Sequence, residues 1–181
     1  MKIKTFPLIP CLLAFFLSAL ACARETGNRS FSHAEFRIEV PPNWQTMAEL
    51  WGTYELKDNY YGLGAQQLSA LTSVRKRGES GVWFTVAKKP LSAPSLSEMV
   101  ETMYAQLVPE AKQLQQSTIE LAGQPAIVFR DRRPWGEPWW KFYDVWVENN
   151  GFAYLLSFKS SSLEGSQADI DFILKSFSFQ P

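Results

Sequence analysis

The chain has 181 residues, enough for one domain with a buried core once an N-terminal export segment is set aside. Its 18 basic and 18 acidic residues balance, which excludes the basic surplus of a nucleic-acid-binding protein. With two cysteines and one histidine, neither a disulfide framework nor a transition-metal centre has the ligands it needs, whereas seven Trp and thirteen Phe supply the area of a well-packed core.

Lys2 and Lys4 precede an uncharged stretch from Thr5 to Ala23, centred on Leu12 to Leu17 and closing on Ser18-Ala19-Leu20-Ala21-Cys22. A basic start, an apolar centre and small residues at the end make a secretory signal. The centre is shorter than the about 20 residues of a spanning helix, and Pro7 and Pro10 interrupt its start. Two cleavage readings fit. In one, Ala19-Leu20-Ala21 or Ala21-Cys22-Ala23 is a small-x-small peptidase site and the product is soluble, secreted or periplasmic. In the other, the residues before Cys22 resemble the lipobox of bacterial lipoproteins, although Ala19 stands where that motif usually has leucine, and Cys22 becomes the acylated first residue. Lipidation is the expectation taken here. Cys11 leaves with the signal, and an unmodified Cys22 is then a lone thiol in an oxidising compartment. The resemblance implies several acyl chains, which hold a membrane stably. The expected organisation is a signal over 1–21, a tether over 22–32 and a folded domain over 33–181, in the bacterial cell envelope and facing the periplasm or exterior. Ala23 after the cysteine, rather than aspartate, favours the outer membrane.

Phe36-Arg37-Ile38-Glu39-Val40 alternates apolar and polar residues, which predicts a strand with one buried face. Pro41-Pro42 stops it, and Trp44 follows. Thr46 and Glu49 have capping-box spacing for a short helix. Over 66–77, Leu68, Leu71 and Val74 suit a helix face, while Leu68, Ala70, Thr72 and Val74 suit a strand; a helix is expected. Val82 to Ala87 is β-rich, and Pro90 to Pro94 reads as a loop. Ser95 caps a helix with Glu98 in the reciprocal position and Met99, Val100, Met103 and Leu107 on its apolar stripe; Pro109 ends it. Lys112 to Leu121 and Pro125 to Arg132 read as strands joined at Ala122-Gly123-Gln124. Asn150-Gly151, between runs over 139–149 and 152–159, is the strongest hairpin signal. With those two residues as the loop, Val147 faces Tyr154, Val145 faces Leu156 and Tyr143 faces Phe158, an apolar face that must be core. The reverse face sets Trp146 opposite Leu155 but Asp144 opposite Ser157, so the sheet is covered to some degree on both sides. Gln167 to Ser176 is a helix with Ile170, Ile173 and Leu174 inward, and Ser176 to Phe179 alternates as a closing strand.

Three stretches carry a family pattern: Phe36 to Trp44, Ile119 to Ala126, and Ile170 to Phe179. With this order of elements the chain resembles the PsbP-like superfamily over residues 33–180, with the bacterial DcrB-type lipoproteins and a eukaryotic Ran-binding release factor as relatives. The resemblance implies an α+β fold: a central antiparallel sheet with helices on both faces, an α/β/α sandwich. It also implies an accessory, assembly or binding role. Photosystem members use metal ions at some sites, but no matching ligand cluster occurs here, and no cofactor is expected.

Sites for chemistry are sparse. His33 lies near Ser30 and Ser32, but the turn and acid that a Ser/His pair needs are not signalled, and no G-x-S-x-G occurs. Asp58, Glu79, Glu137, Asp144, Asp169 and Asp171 are scattered. No phosphate-cradling glycine loop is present. The best candidate is the segment over 130–140, read as a loop between strands that carries Arg130, Arg132, Arg133, Trp135, Trp139 and Trp140. Loops carry binding residues, and Trp and Arg dominate binding hot spots; the plainer alternative is that these Trp seal the end of the core. Tyr60-Tyr61-Gly62 can line the same rim. Arg75-Lys76-Arg77 and Lys88-Lys89 read as solvated turns, with lipid head groups as a functional variant. The resulting expectation is a non-enzymatic, lipid-anchored envelope protein that binds a protein partner. The alternatives are a small-ligand or glycan module using the Trp-rich loop, and an enzyme with an unrecognised site.

Overall fold

The computed structural model describes residues 27–46, 68–78, 81–107, 111–134 and 139–181. The export segment, Cys22, Tyr60-Tyr61-Gly62 and Trp135 lie outside the described residues. A small sheet forms around β2 (Phe36–Val40), whose alternation buries Phe36, Ile38 and Val40. It is flanked by β1 (Arg29–Ser32) and β10 (Ser178–Phe179). The last four residues of the expected tether are therefore a strand, with Phe31 opposite Ile38.

The larger sheet is built from β3 (Trp44–Thr46), β4 (Ser69–Lys76), β5 (Trp83–Pro90), β6 (Lys112–Leu121), β7 (Gln124–Arg133), β8 (Trp140–Asn149) and β9 (Phe152–Ser160). Its seven strands run in the order β3-β4-β5-β9-β8-β7-β6, and all their described pairings are antiparallel. The β8–β9 hairpin has the register read from the sequence, with Val145 opposite Leu156 and Tyr143 opposite Phe158. Asn150 and Gly151 both take positive φ, 51° and 76°, as a two-residue turn of matching twist requires.

Two expectations fail near the other edge. Ser69–Lys76 is a strand, not a helix. Pairing with β5 sets Val74 against Phe84 and Ser73 against Thr85, and this cross-strand packing overrides a weak helical period. Thr46 closes β3 opposite Val74, and the short helix that its spacing with Glu49 predicts lies outside the described residues. The basic clusters are not solvated turns either, except at Arg77, which is exposed just past the end of β4. Arg75 and Lys76 are in β4 and Lys88-Lys89 in β5, which runs on through Pro90. Lys76 pairs with Asp169 at 2.8 Å, Lys88 with Glu35, and Lys89 is buried.

Among the described residues two α-helices complete the α+β architecture: α1 (Leu96–Leu107) and α2 (Gln167–Ser176). Ser95 Oγ accepts the Glu98 N–H at 3.2 Å, the predicted cap. Alternate residues of a strand point to opposite faces, so the sheet feeds two apolar clusters. One joins Phe84, Val86, Val128, Val145, Leu156 and Phe158 to β2 and to Ile170, Ile173 and Leu174 of α2. The other joins Ala87, Phe129, Trp146, Ala153 and Leu155 to Leu96, Met99, Val100, Met103 and Tyr104 of α1. The first cluster takes its cover from β2 together with α2, so a description by helices alone is too simple.

Candidate functional site

Arg130, Arg132 and Arg133 are not in a loop. They belong to β7, and Trp140 opens β8 opposite Arg133. Strand alternation then separates them. Asp131 and Arg133 project to the α1 side with Phe129, while Arg130 and Arg132 project to the α2 side with Val128.

On the α1 side the chain buries a charge network. Arg133 Nε and Nη2 each donate to one oxygen of Asp131 at 2.7 Å, a two-pronged ion pair. Nη2 also reaches Asp144 Oδ2 at 2.5 Å and Tyr104 Oη at 3.1 Å. Tyr104 donates to Asp144 at 2.6 Å and Ser157 Oγ to its other oxygen at 2.5 Å. None of these five residues is more than 4% exposed. Burial and the neighbouring Asp144 push the Tyr104 hydroxyl well above its ordinary range. Burial works against the Arg133 charge, but Asp144, Tyr104 and Asp131 outweigh it and raise its pKa. Burial pushes the Asp131 carboxyl up, opposed by the guanidinium that faces it. Lys159, buried on the same side, is pushed down to about 7 by desolvation, Asp144 partly opposing and Arg133 adding to the shift. The polar groups of the network satisfy one another, as buried charges must. Asp144 thus has a partner role that its pairing with Ser157 hinted at, but Arg133 is not a surface residue.

On the α2 side the same strands border a cleft of about 690 Å³. Leu114 and Gln115 of β6, Arg130 and Arg132 of β7, and Lys141 and Tyr143 of β8 line one side; Leu163, Glu164, Gln167 and Ile170 line the other. Arg130 is exposed, its guanidinium 4.6 Å from the Tyr143 ring centroid. Arg132 Nε is buried with no hydrogen-bond partner among the described residues. Lys141 bonds to Glu164, which holds that carboxyl below the usual range. Leu114, 49% exposed, is the only exposed large hydrophobic side chain among the described residues. The cleft therefore offers cations beside apolar and aromatic surface. Two of the six expected site residues, Arg130 and Arg132, meet there. Trp139 and Trp140 are half-buried, and Lys112 Nζ lies 4.1 Å from the Trp139 ring centroid. Leu114, Lys141 and Gln167 were missed; the isolated Leu114 in the polar run Lys112 to Thr118 was the available signal.

Asp58, Glu79 and Glu137 lie outside the described residues; the described candidates elsewhere have structural partners. The His33 ring stacks on Phe36 with centroids 5.1 Å apart, and its Nδ1 accepts the Glu35 N–H at 3.3 Å. Asp169 accepts from Trp44 Nε1 at 3.0 Å. Among the described residues no group of three or more His, Cys, Asp or Glu is placed to hold a metal ion, and no helix is long and apolar enough to cross a membrane.

No family model matches the chain, and no curated protein matches it in sequence. Solved structures match its fold. The solution structure of cyanobacterial PsbP (CyanoP) from Synechocystis sp. PCC 6803 superposes with a TM-score of 0.61 at 13% identity, covering 88% of this chain and 96% of that one. LpqN, a protein involved in cell envelope biogenesis of Mycobacterium tuberculosis, superposes with a TM-score of 0.51 at 11% identity, covering 86% of this chain and 91% of that one. The chain has the PsbP-like α+β fold.

Proposed function

We propose that the protein is an exported, lipid-anchored component of the bacterial cell envelope. Its PsbP-like domain is a non-catalytic accessory module that binds a protein partner in the cleft between β6–β8 and the start of α2. The observation that carries this reading is the convergence in one cleft of an exposed Arg130, a buried Arg132 nitrogen without an acceptor among the described residues, and the exposed Leu114. An orphaned donor beside exposed apolar surface is stabilised when a partner supplies an acceptor and excludes water. The charged groups most shifted by their surroundings on the α1 side are buried in mutual contacts, which suits structure rather than turnover. The envelope role described for LpqN supports the location, and the reading of Cys22 as an acylated residue supports the anchor. The glycan alternative has less support, because Lys112 already occupies a face of Trp139.

A photo-cross-linking residue at position 114, introduced in cells, tests the cleft. It is expected to capture a discrete partner that a cross-linker at Glu148 misses and that Arg130→Glu with Arg132→Glu abolishes. Equal capture at both positions, or capture indifferent to the charge reversal, removes the cleft from the proposal. For the anchor, Cys22→Ser is expected to release the protein from membranes and to end fatty-acid labelling; a wild type that never labels disproves lipidation.

A further inference from the structure

The far edge of the larger sheet is β6, whose one neighbour among the described strands is β7. It is ten residues long, against three for β3 at the other edge, and all seven residues from Lys112 to Thr118 are exposed. Edge strands present unpaired backbone groups and are normally guarded by charges, prolines or bulges. Here the guard sits at the ends: Glu120 near the turn and, at the other end, a ladder that is irregular between Lys112 and Gln115, where Gln113 takes a φ of 57°. From Gln115 to Leu121 the pairing with β7 is regular, and Gln115 to Ile119 contains no charge and no proline.

The direction of the free backbone groups follows from the turn. Ala122 and Gly123, with φ of 51° and 74°, form a two-residue loop, so the closing pair Leu121–Gln124 exchanges hydrogen bonds. Alternation then turns Ile119, Ser117 and Gln115 toward β7, and leaves the N–H and C=O of Gln116, Thr118 and Glu120 pointing off the sheet. Pro125, opposite Glu120, fits this parity, since a pair that exchanges no bonds with β6 needs no N–H there.

The two faces beside this edge differ in charge. On the α2 face, Lys112 lies opposite Arg132 and Gln115 opposite Arg130. On the α1 face, Gln116 donates to Glu101 of α1 at 3.2 Å, and Glu120 follows along the strand. We infer that β6 accepts an extended segment of the partner as an added strand, with alternate carboxylates turned toward Arg130 and Arg132 and neutral or basic residues turned toward Glu101 and Glu120. An added strand lies about 4.8 Å from β6 and about 10 Å from β7, a span that arginine and glutamate side chains cross together. Backbone bonds supply affinity in this mode and alternate side chains supply selectivity. The inference rests on the binding reading above and names its mode and chemistry.

Two synthetic peptides test it, each about ten residues long to match a long strand: one alternates Glu with Thr, the other Lys with Thr. The Glu peptide is expected to bind the wild-type domain at low salt and to perturb the amide signals of Gln116, Thr118 and Glu120, with the Lys peptide at least about tenfold weaker. Thr118→Pro deletes an outward N–H while sparing the β6–β7 ladder, and is expected to weaken the Glu peptide about tenfold, the loss of roughly one good backbone bond plus a clash. Methylating every second backbone nitrogen of the Glu peptide, in one of the two possible phases, is expected to do the same and decides the matter if Thr118→Pro does not fold. Undiminished binding to Thr118→Pro and by both methylated peptides overturns strand addition in favour of charge attraction alone, leaving the cleft to its own cross-linking test. No binding of the Glu peptide, or tighter binding of the Lys peptide, also overturns it.

Discussion

Arg132 and Arg133 are neighbours in the chain and opposites in circumstance. Arg133 is 2% exposed and engages Asp131, Asp144 and Tyr104. Arg132 borders an open cleft with its Nε unpaired among the described residues. One step along a strand exchanges the two faces of a sheet, so a run of like residues acquires two unrelated tasks. Charge enrichment in sequence is therefore a poor guide to a binding surface until the parity of the strand is known.

The contrast is sharpest under mutation. Arg133→Ala strips a guanidinium from a buried cluster and leaves Asp131 and Asp144 short of their cation; such truncations cost about 3–5 kcal/mol, readable by urea denaturation. A loss below about 1 kcal/mol would place Arg133 in solvent and dissolve the distinction between the two faces. Phe158→Ala probes the other face of the same sheet without charge. Phe158 is fully buried, its ring 4.5 Å from that of Phe84, and its truncation is expected to cost about 3–5 kcal/mol.

Lys159 predicts a smaller effect with a definite sign. Its pKa is about 7 in the folded protein against an ordinary value of 10.5. Between those values the unfolded chain holds a proton that the folded chain lacks, so stability rises with pH across the window, and the full penalty of charging Lys159 is present below it. Lys159→Met is expected to flatten the rise in melting temperature between about pH 6.5 and pH 9.5. An unchanged slope assigns the pH dependence to other groups. The smallest effect belongs to the cleft: Arg130→Ala is expected to shift stability by no more than about 0.5 kcal/mol while weakening capture at position 114. A sharply destabilised Arg130→Ala would make the cleft arginines architectural, like Arg133.

Much of the fold was legible because its signals are local. Asn150-Gly151 sets the hairpin register, Ser95 and Glu98 mark the start of α1, and the spacing of Ile170, Ile173 and Leu174 defines the buried face of α2. What was illegible depends on partners distant in sequence. Ser69–Lys76 becomes a strand because β5 is beside it, a fact its own periodicity does not contain. Arg133 finds Asp144 through the register of β7 on β8. The cleft wall from Leu163 to Ile170 reaches Arg130 from more than thirty residues away along the chain. The candidate site was thus half readable: the arginines stood out by type, but which of them face solvent did not.

The early start of β1 has a mechanical meaning. The first described strand begins at Arg29, so six residues stand between it and the Cys22 proposed as acylated. A fully stretched chain over that interval spans at most about 25 Å. On so short a leash, a domain acylated at Cys22 would not roam the envelope. It would work within roughly its own diameter of the lipid surface, and a partner would have to meet it there, either embedded in the same membrane or lying against it.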